Sequence, residues 1–161
     1  AGEIGPDSTA ALERLLPQVK QCEAVSGGSK YSPMAYLSSG GGYLKDGYAL
    51  GELFREYEIT TIVTGGQKCA SSCAIAFLGG LYRHMAFDAE LLFHAPYTTN
   101  GIAINCEDKG QVAGLKDYYQ QNLGQSDGQF LHERTMSYCS AEDGWTLNKD
   151  GAKLLGITTT K

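Results

Sequence analysis

Residues 59–81 read ITTIVTGGQKCASSCAIAFLGGL, and the reading of the fold starts from them. Ile59 to Thr64 is a β-branched run, which reads as a buried strand. Gly65-Gly66 turns the chain. Ser71 to Leu81 is apolar nearly all round, the pattern of a helix buried in an interior, and Gly79-Gly80 weaken its end.

The same alternation extends outward. Upstream, Leu12, Leu15, Leu16 and Val19 repeat at helical spacing behind Ser8, a candidate cap, with Pro17 expected to kink or shorten that helix. Met34 to Leu37 reads as a short strand ended by the run Ser38-Ser39-Gly40-Gly41-Gly42. Asp46 can cap a helix carrying Leu50, Leu53, Phe54 and Tyr57. Downstream, Ala89 to Phe93 reads as a strand before His94 and Pro96. Helices are expected over Val112–Leu123 and Asp127–Met136, and a short one from Asn148 to Leu155, stopped by Gly156. Strands alternating with helices through glycine turns predict an α/β fold with mostly parallel strands, in one domain over residues 1–161. Such sheets bind ligands beyond the carboxyl ends of their strands. The glycine run, the Ser71 segment and His94 all follow a strand, so they can meet at one sheet edge.

Composition narrows the classes. The 161 residues hold 21 glycines, where average usage of roughly 7% would give about 11. That excess disfavours a plain helical bundle. The net charge of −5 argues against broad nucleic-acid binding, and no apolar run is long enough for a membrane span. Five cysteines, Cys22, Cys69, Cys73, Cys106 and Cys139, point to an oxidising compartment, periplasmic or secreted. No C-x-x-C occurs and no histidine stands at zinc-finger spacing, so no metal site is expected.

Ser71 opens a buried helix, where backbone N–H groups can face an oxyanion and a base can activate the hydroxyl. A helix cap is the simpler role for a serine there. His94, at a strand end, can take the serine proton, although a lone histidine in that place is more often structural. His84 and His132 rank lower. Gly40-Gly41-Gly42 lets backbone approach a substrate, or is merely a flexible turn. Cys69 and Cys73 bracket Ser71 as either a local disulfide or two buried thiols; the bond is expected in an oxidising compartment. Cys106–Cys139 is the second expected pair, leaving Cys22 free.

Together these segments resemble a known family. Leu37-Ser38-Ser39-Gly40-Gly41-Gly42, then Gly47, resembles the "INSPGG…G" loop of the Clp protease proteolytic subunit. Gly66-Gln67-Lys68-Cys69-Ala70-Ser71-Ser72, continuing to Gly80 and Arg83, resembles its "GQAAS" nucleophile segment. Phe93-His94-Ala95-Pro96 is similar to its "IHQP", and Leu147 through Gly156-Ile157 to its "FLSAEEAxxYGLID" ending. Order and approximate spacing agree over most of the chain, and the cysteine-bracketed serine looks like an exported, Clp-like branch. The resemblance implies a Clp/crotonase spiral of ββα units, with Ser71 as nucleophile and His94 as general base. It implies N–H groups of Gly41 and Ser72 as the oxyanion hole, with Gly42 the near alternative to Gly41. It implies an orienting acid just before Trp145, taken as Asp143, with Glu142 adjacent. Gly40 replaces the family's proline and Ser38 its asparagine. The stretch between His94 and Cys139 is shorter than the family's handle region, which bears on the implied homo-oligomer.

The leading expectation is a serine hydrolase, a peptidase acting on a peptide or acyl substrate without a cofactor. The alternative is a non-catalytic binding or scaffold module of the same fold. A crotonase-like acyl-CoA enzyme ranks third, because such enzymes do not need the Ser71/His94 pair.

Overall fold

A computed structural model describes residues 2–25, 33–100, 103–105, 114–140 and 142–159, with the side chains of 20–25, 98–100 and 103–105 excluded. Helix α1 (Pro6–Val25) starts with proline at its first position, where the missing N–H has no cost. Ser8, the expected cap, lies inside the first turn; its Oγ accepts the Gly5 N–H at 3.4 Å and donates to the Glu3 carbonyl at 3.0 Å. Pro17 sits within the helix without ending it.

Strand β1 (Met34–Tyr36) leads through the glycine run to helix α2 (Leu44–Glu56). The helix begins earlier than the Asp46 cap predicts. Tyr43 is its cap residue, held extended with its N–H on the Ile4 carbonyl at 2.8 Å. Asp46 falls in the first turn, where a carboxylate complements the helix dipole. Strands β2 (Thr60–Val63) and β3 (Lys68–Ala70) follow, then helix α3 (Ser72–Leu78) and strands β4 (Arg83–Met85) and β5 (Glu90–Phe93). A hairpin of β6 (Thr98–Asn100) and β7 (Ala103–Asn105) precedes helices α4 (Leu115–Leu123) and α5 (Gln125–Met136). Strand β8 (Trp145–Leu147) and helix α6 (Lys149–Leu154) complete the order. Asn148 caps α6 as expected, its Oδ1 accepting the Gly151 N–H at 2.9 Å.

Strands β1, β2 and β4 form one parallel sheet in that order. In a second sheet β5 runs parallel to β3 on one side and antiparallel to β8 on the other. Helix α3 lies in the core with all seven residues buried, Phe77 and Leu78 at 0% exposure. It crosses α2 closely: a Cβ on Gly79 would stand 2.1 Å from the Gly51 carbonyl oxygen, so the helices meet backbone to backbone. Arg83 ties the end of α3 to the chain's last segment. Its buried guanidinium donates to the carbonyls of Ile157 (2.6 Å), Gly156 (3.1 Å), Leu78 (3.2 Å) and Gly80 (3.3 Å). Burial lowers its pKa to about 10, so it remains charged at neutral pH.

Candidate active site

Ser71 joins β3 to α3 at φ 56°, ψ −126°. A side-chain-bearing residue pays about 1–3 kcal/mol for such a conformation, so the surroundings must impose it. Several contacts do. The Ser71 N–H donates to the Leu92 carbonyl at 2.8 Å, its carbonyl accepts the Ile75 N–H at 3.1 Å, and the Ala70 N–H donates to Ser39 at 2.9 Å. A disulfide joins Cys69, in β3, to Cys73, in the first turn of α3; both are fully buried. The turn is thus stapled on either side of the serine. This geometry resembles a nucleophile elbow, where a sharp strand-to-helix turn presents a hydroxyl above the sheet.

His94 follows β5, which pairs with β3 so that Ala70 stands opposite Leu92. Ser71 and His94 therefore leave the carboxyl ends of adjacent parallel strands. The His94 ring is buried, with Nδ1 2.8 Å from the Ala95 carbonyl oxygen. A carbonyl can only accept, so Nδ1 carries the hydrogen and Nε2 keeps its lone pair. Burial lowers the ring's pKa from 6.5, and the Ala95 bond acts in the opposite sense without cancelling it. Ala95 is itself held, its N–H donating to Tyr138 at 2.7 Å, and the Tyr97 ring lies 5.5 Å from the imidazole.

Ser71 and His94 line one cavity of about 430 Å³. No hydrogen bond joins the serine hydroxyl to the imidazole among the described residues. Such bonds are often long without substrate. The glycine run forms part of the wall. A Cβ on Gly41 would fall 2.6 Å from the Ser71 Cβ and 2.8 Å from the Ala70 oxygen, so only glycine allows this loop to lie against the serine. The Gly41 N–H, expected to face an oxyanion, instead donates to Ser39 Oγ at 3.1 Å. The Gly41 carbonyl accepts the Ile4 N–H at 2.8 Å, which braces the peptide. Gly42 lines the cavity, and its N–H has no acceptor among the described residues. Ser72 also lines the cavity and opens α3, so its N–H has no intrahelical acceptor. Of the residues expected to face an oxyanion, Gly42 and Ser72 thus carry the unengaged N–H groups.

Asp143 does not occupy the position expected of an orienting acid. It is exposed in the turn before β8, its N–H donating to Ser140 Oγ at 3.4 Å. Glu142 accepts from the same hydroxyl at 3.5 Å. Neither carboxylate bonds His94 among the described residues, because Nδ1 is turned onto the chain's own Ala95 carbonyl. His84, in β4, and His132, in α5, do not line the cavity. Cys139 is disulfide-bonded; the expected partner Cys106 lies outside the described residues, and Cys22 lies in α1 with its side chain not among those described. The Ala95 carbonyl and the Ser39 latch were missed from the sequence. Only the Ser39-Gly40-Gly41 spacing, typical of a hydroxyl turning back onto the backbone, carried a signal.

No protein-family model matches the chain, and no curated protein matches it. Solved structures do. ClpP1 from Listeria monocytogenes superposes with a TM-score of 0.66 at 19% identity, covering 98% of this chain and 85% of that one. A mutant of the same ClpP1 gives 0.65 at 20% identity, with the same coverage. A mutant of the 1510-N membrane-bound stomatin-specific protease gives 0.71 at 17% identity, covering 98% of this chain and 74% of that one. The fold is the Clp/crotonase fold. In it, the strand-end residues Ser71 and His94 and the glycine run meet at one cavity. No helix among the described residues is long and apolar enough to cross a membrane.

Proposed function

We propose that this chain is a serine hydrolase acting as a peptidase, with Ser71 as nucleophile and His94 as general base. The observation that carries the reading is the meeting, in one cavity, of a serine in an imposed positive-φ turn and a buried histidine whose Nε2 is left as acceptor. Ser71 Oγ attacks the acyl carbon while Nε2 takes its proton. The N–H groups of Gly42 and Ser72 stabilise the oxyanion that forms. As the tetrahedral species collapses, the imidazolium returns the proton to the leaving amine. Water then repeats the sequence on the acyl-serine. The Ala95 carbonyl holds the Nδ1–H throughout, a role that the family resemblance implies for an acid, taken as Asp143 with Glu142 adjacent.

One set of observations favours the alternative, a binding module without turnover: among the described residues no carboxylate bonds His94, and the Gly41 N–H is already engaged. Hydrolysis of peptide aminocoumarin amides separates the two. The hydrolase reading expects turnover that falls by on the order of 10⁴-fold or more in Ser71→Ala and in His94→Gln. A wild-type protein that binds these peptides without cleaving them fits the module. The disulfide around Ser71 and the bonded Cys139 support an oxidising compartment, periplasmic or secreted. Thiol mapping of the protein taken from its native compartment tests that part. Homo-oligomerisation belongs to the same proposal, and light scattering reports on it.

A further inference from the structure

Glu3 is the only acidic side chain among the described residues lining the Ser71/His94 cavity. The backbone around it is anchored on both sides. Ser39 Oγ donates to the Gly2 carbonyl, Ser8 Oγ donates to the Glu3 carbonyl at 3.0 Å, and the Ile4 N–H donates to Gly41. These bonds lay the side chain over the glycine run: Glu3 Cγ is 2.8 Å from where a Cβ on Gly42 would stand. Glu3 has no ion-pair partner among the described residues. The rings of Tyr43 and Tyr97 line the same cavity and are 57% and 40% exposed, so both offer surface to a ligand.

We propose that Glu3, with Tyr43 and Tyr97, forms a subsite for a cationic side chain, so that the substrate is a peptide carrying Lys or Arg near the scissile bond. The inference rests on the hydrolase reading and adds the substrate class. Two physical effects act together. A carboxylate and aromatic faces both attract a cation at the rim of a cavity. In addition, Glu3 lines the cavity in which the oxyanion would develop, with no ion-pair partner among the described residues, so its charge opposes that oxyanion. A substrate cation neutralises that carboxylate, so the preference extends to turnover and is not confined to binding.

The test uses tetrapeptide aminocoumarin amides with Lys or norleucine at each position in turn. Wild type is expected to cleave one Lys substrate about tenfold better in kcat/KM than its norleucine counterpart, the equivalent of about 1.4 kcal/mol, and salt is expected to weaken the difference. In Glu3→Gln the ratio should fall to about one. In Glu3→Lys the preference should pass to a Glu substrate. Absence of a Lys preference at every position, or a preference that survives Glu3→Gln, overturns the proposal. If no substrate is turned over, the hydrolase reading fails separately. Calorimetric titration with the same peptides as plain amides then decides the subsite: tighter Lys binding that is lost in Glu3→Gln supports it, and equal binding of both peptides overturns it.

Discussion

The carbonyl of Ala95 accepts the Nδ1–H of His94 at 2.8 Å, so the buried imidazole is oriented by the residue that follows it in the chain. A backbone carbonyl can hold a tautomer as a carboxylate does, but it brings no negative charge to stabilise an imidazolium. Among the described residues, the proposed site is therefore closer to a dyad than to a Ser-His-Asp triad.

Asp143→Asn and Glu142→Gln are expected to keep kcat/KM within about threefold of wild type on a neutral peptide substrate. Removing the acid of a working triad lowers turnover on the order of 10⁴-fold. A steep loss in Asp143→Asn alone would restore that residue to the mechanism.

The pH profile should report the buried histidine. Its pKa lies below 6.5 through burial, so the base is already neutral at pH 7 and kcat/KM should fall to half at a pH under 6.5. Stability moves in the same sense. Below pH 6.5 the unfolded chain protonates this histidine while the folded chain resists, so stability is lost as pH falls from 6.5 through the folded pKa. His132, also lowered by burial, adds to the loss. Chemical denaturation of wild type and His94→Gln between pH 5 and 8 measures it; the variant should show the shallower slope.

Removing the Cys69–Cys73 bridge, as Cys69→Ser with Cys73→Ser, should lower unfolding stability by about 2 kcal/mol, from loop closure alone. Activity is expected to fall further than stability explains, because the bridge spans the turn holding Ser71 at positive φ. Urea unfolding and peptide hydrolysis on the same preparations separate the two effects.

Arg83→Met should destabilise the fold by about 3 kcal/mol or more. It leaves the carbonyls of Ile157, Gly156, Leu78 and Gly80 without their charged donor in a buried place. The urea midpoint should drop with an unchanged slope.

Much of this was legible in the sequence because it is written locally. The β-branched run at 60–63, the apolar α3 and the glycine turns specify a strand and helix that each need burial, and that pattern places Ser71 and His94 at strand ends. Strands β3, β4 and β8 have three residues each, too few for any periodicity to show. The start of α2 at Leu44 depends on Tyr43 being held by Ile4, a contact spanning 39 positions that no local signal announces. The proposed oxyanion donors differ from the expected ones for a related reason. Gly41 and Gly42 are interchangeable as letters, and only the Ser39 hydroxyl distinguishes their N–H groups. The orienting group on His94 is a main-chain atom, which a search for carboxylates does not find.

The most direct test is covalent labelling of the native protein with a fluorophosphonate, followed by peptide mapping. The account predicts one phosphonyl group on Ser71, absent in Ser71→Ala and slowed by orders of magnitude in His94→Gln, both variants melting as cooperatively as wild type. An unlabelled wild-type protein, or a label that persists in Ser71→Ala, would contradict it.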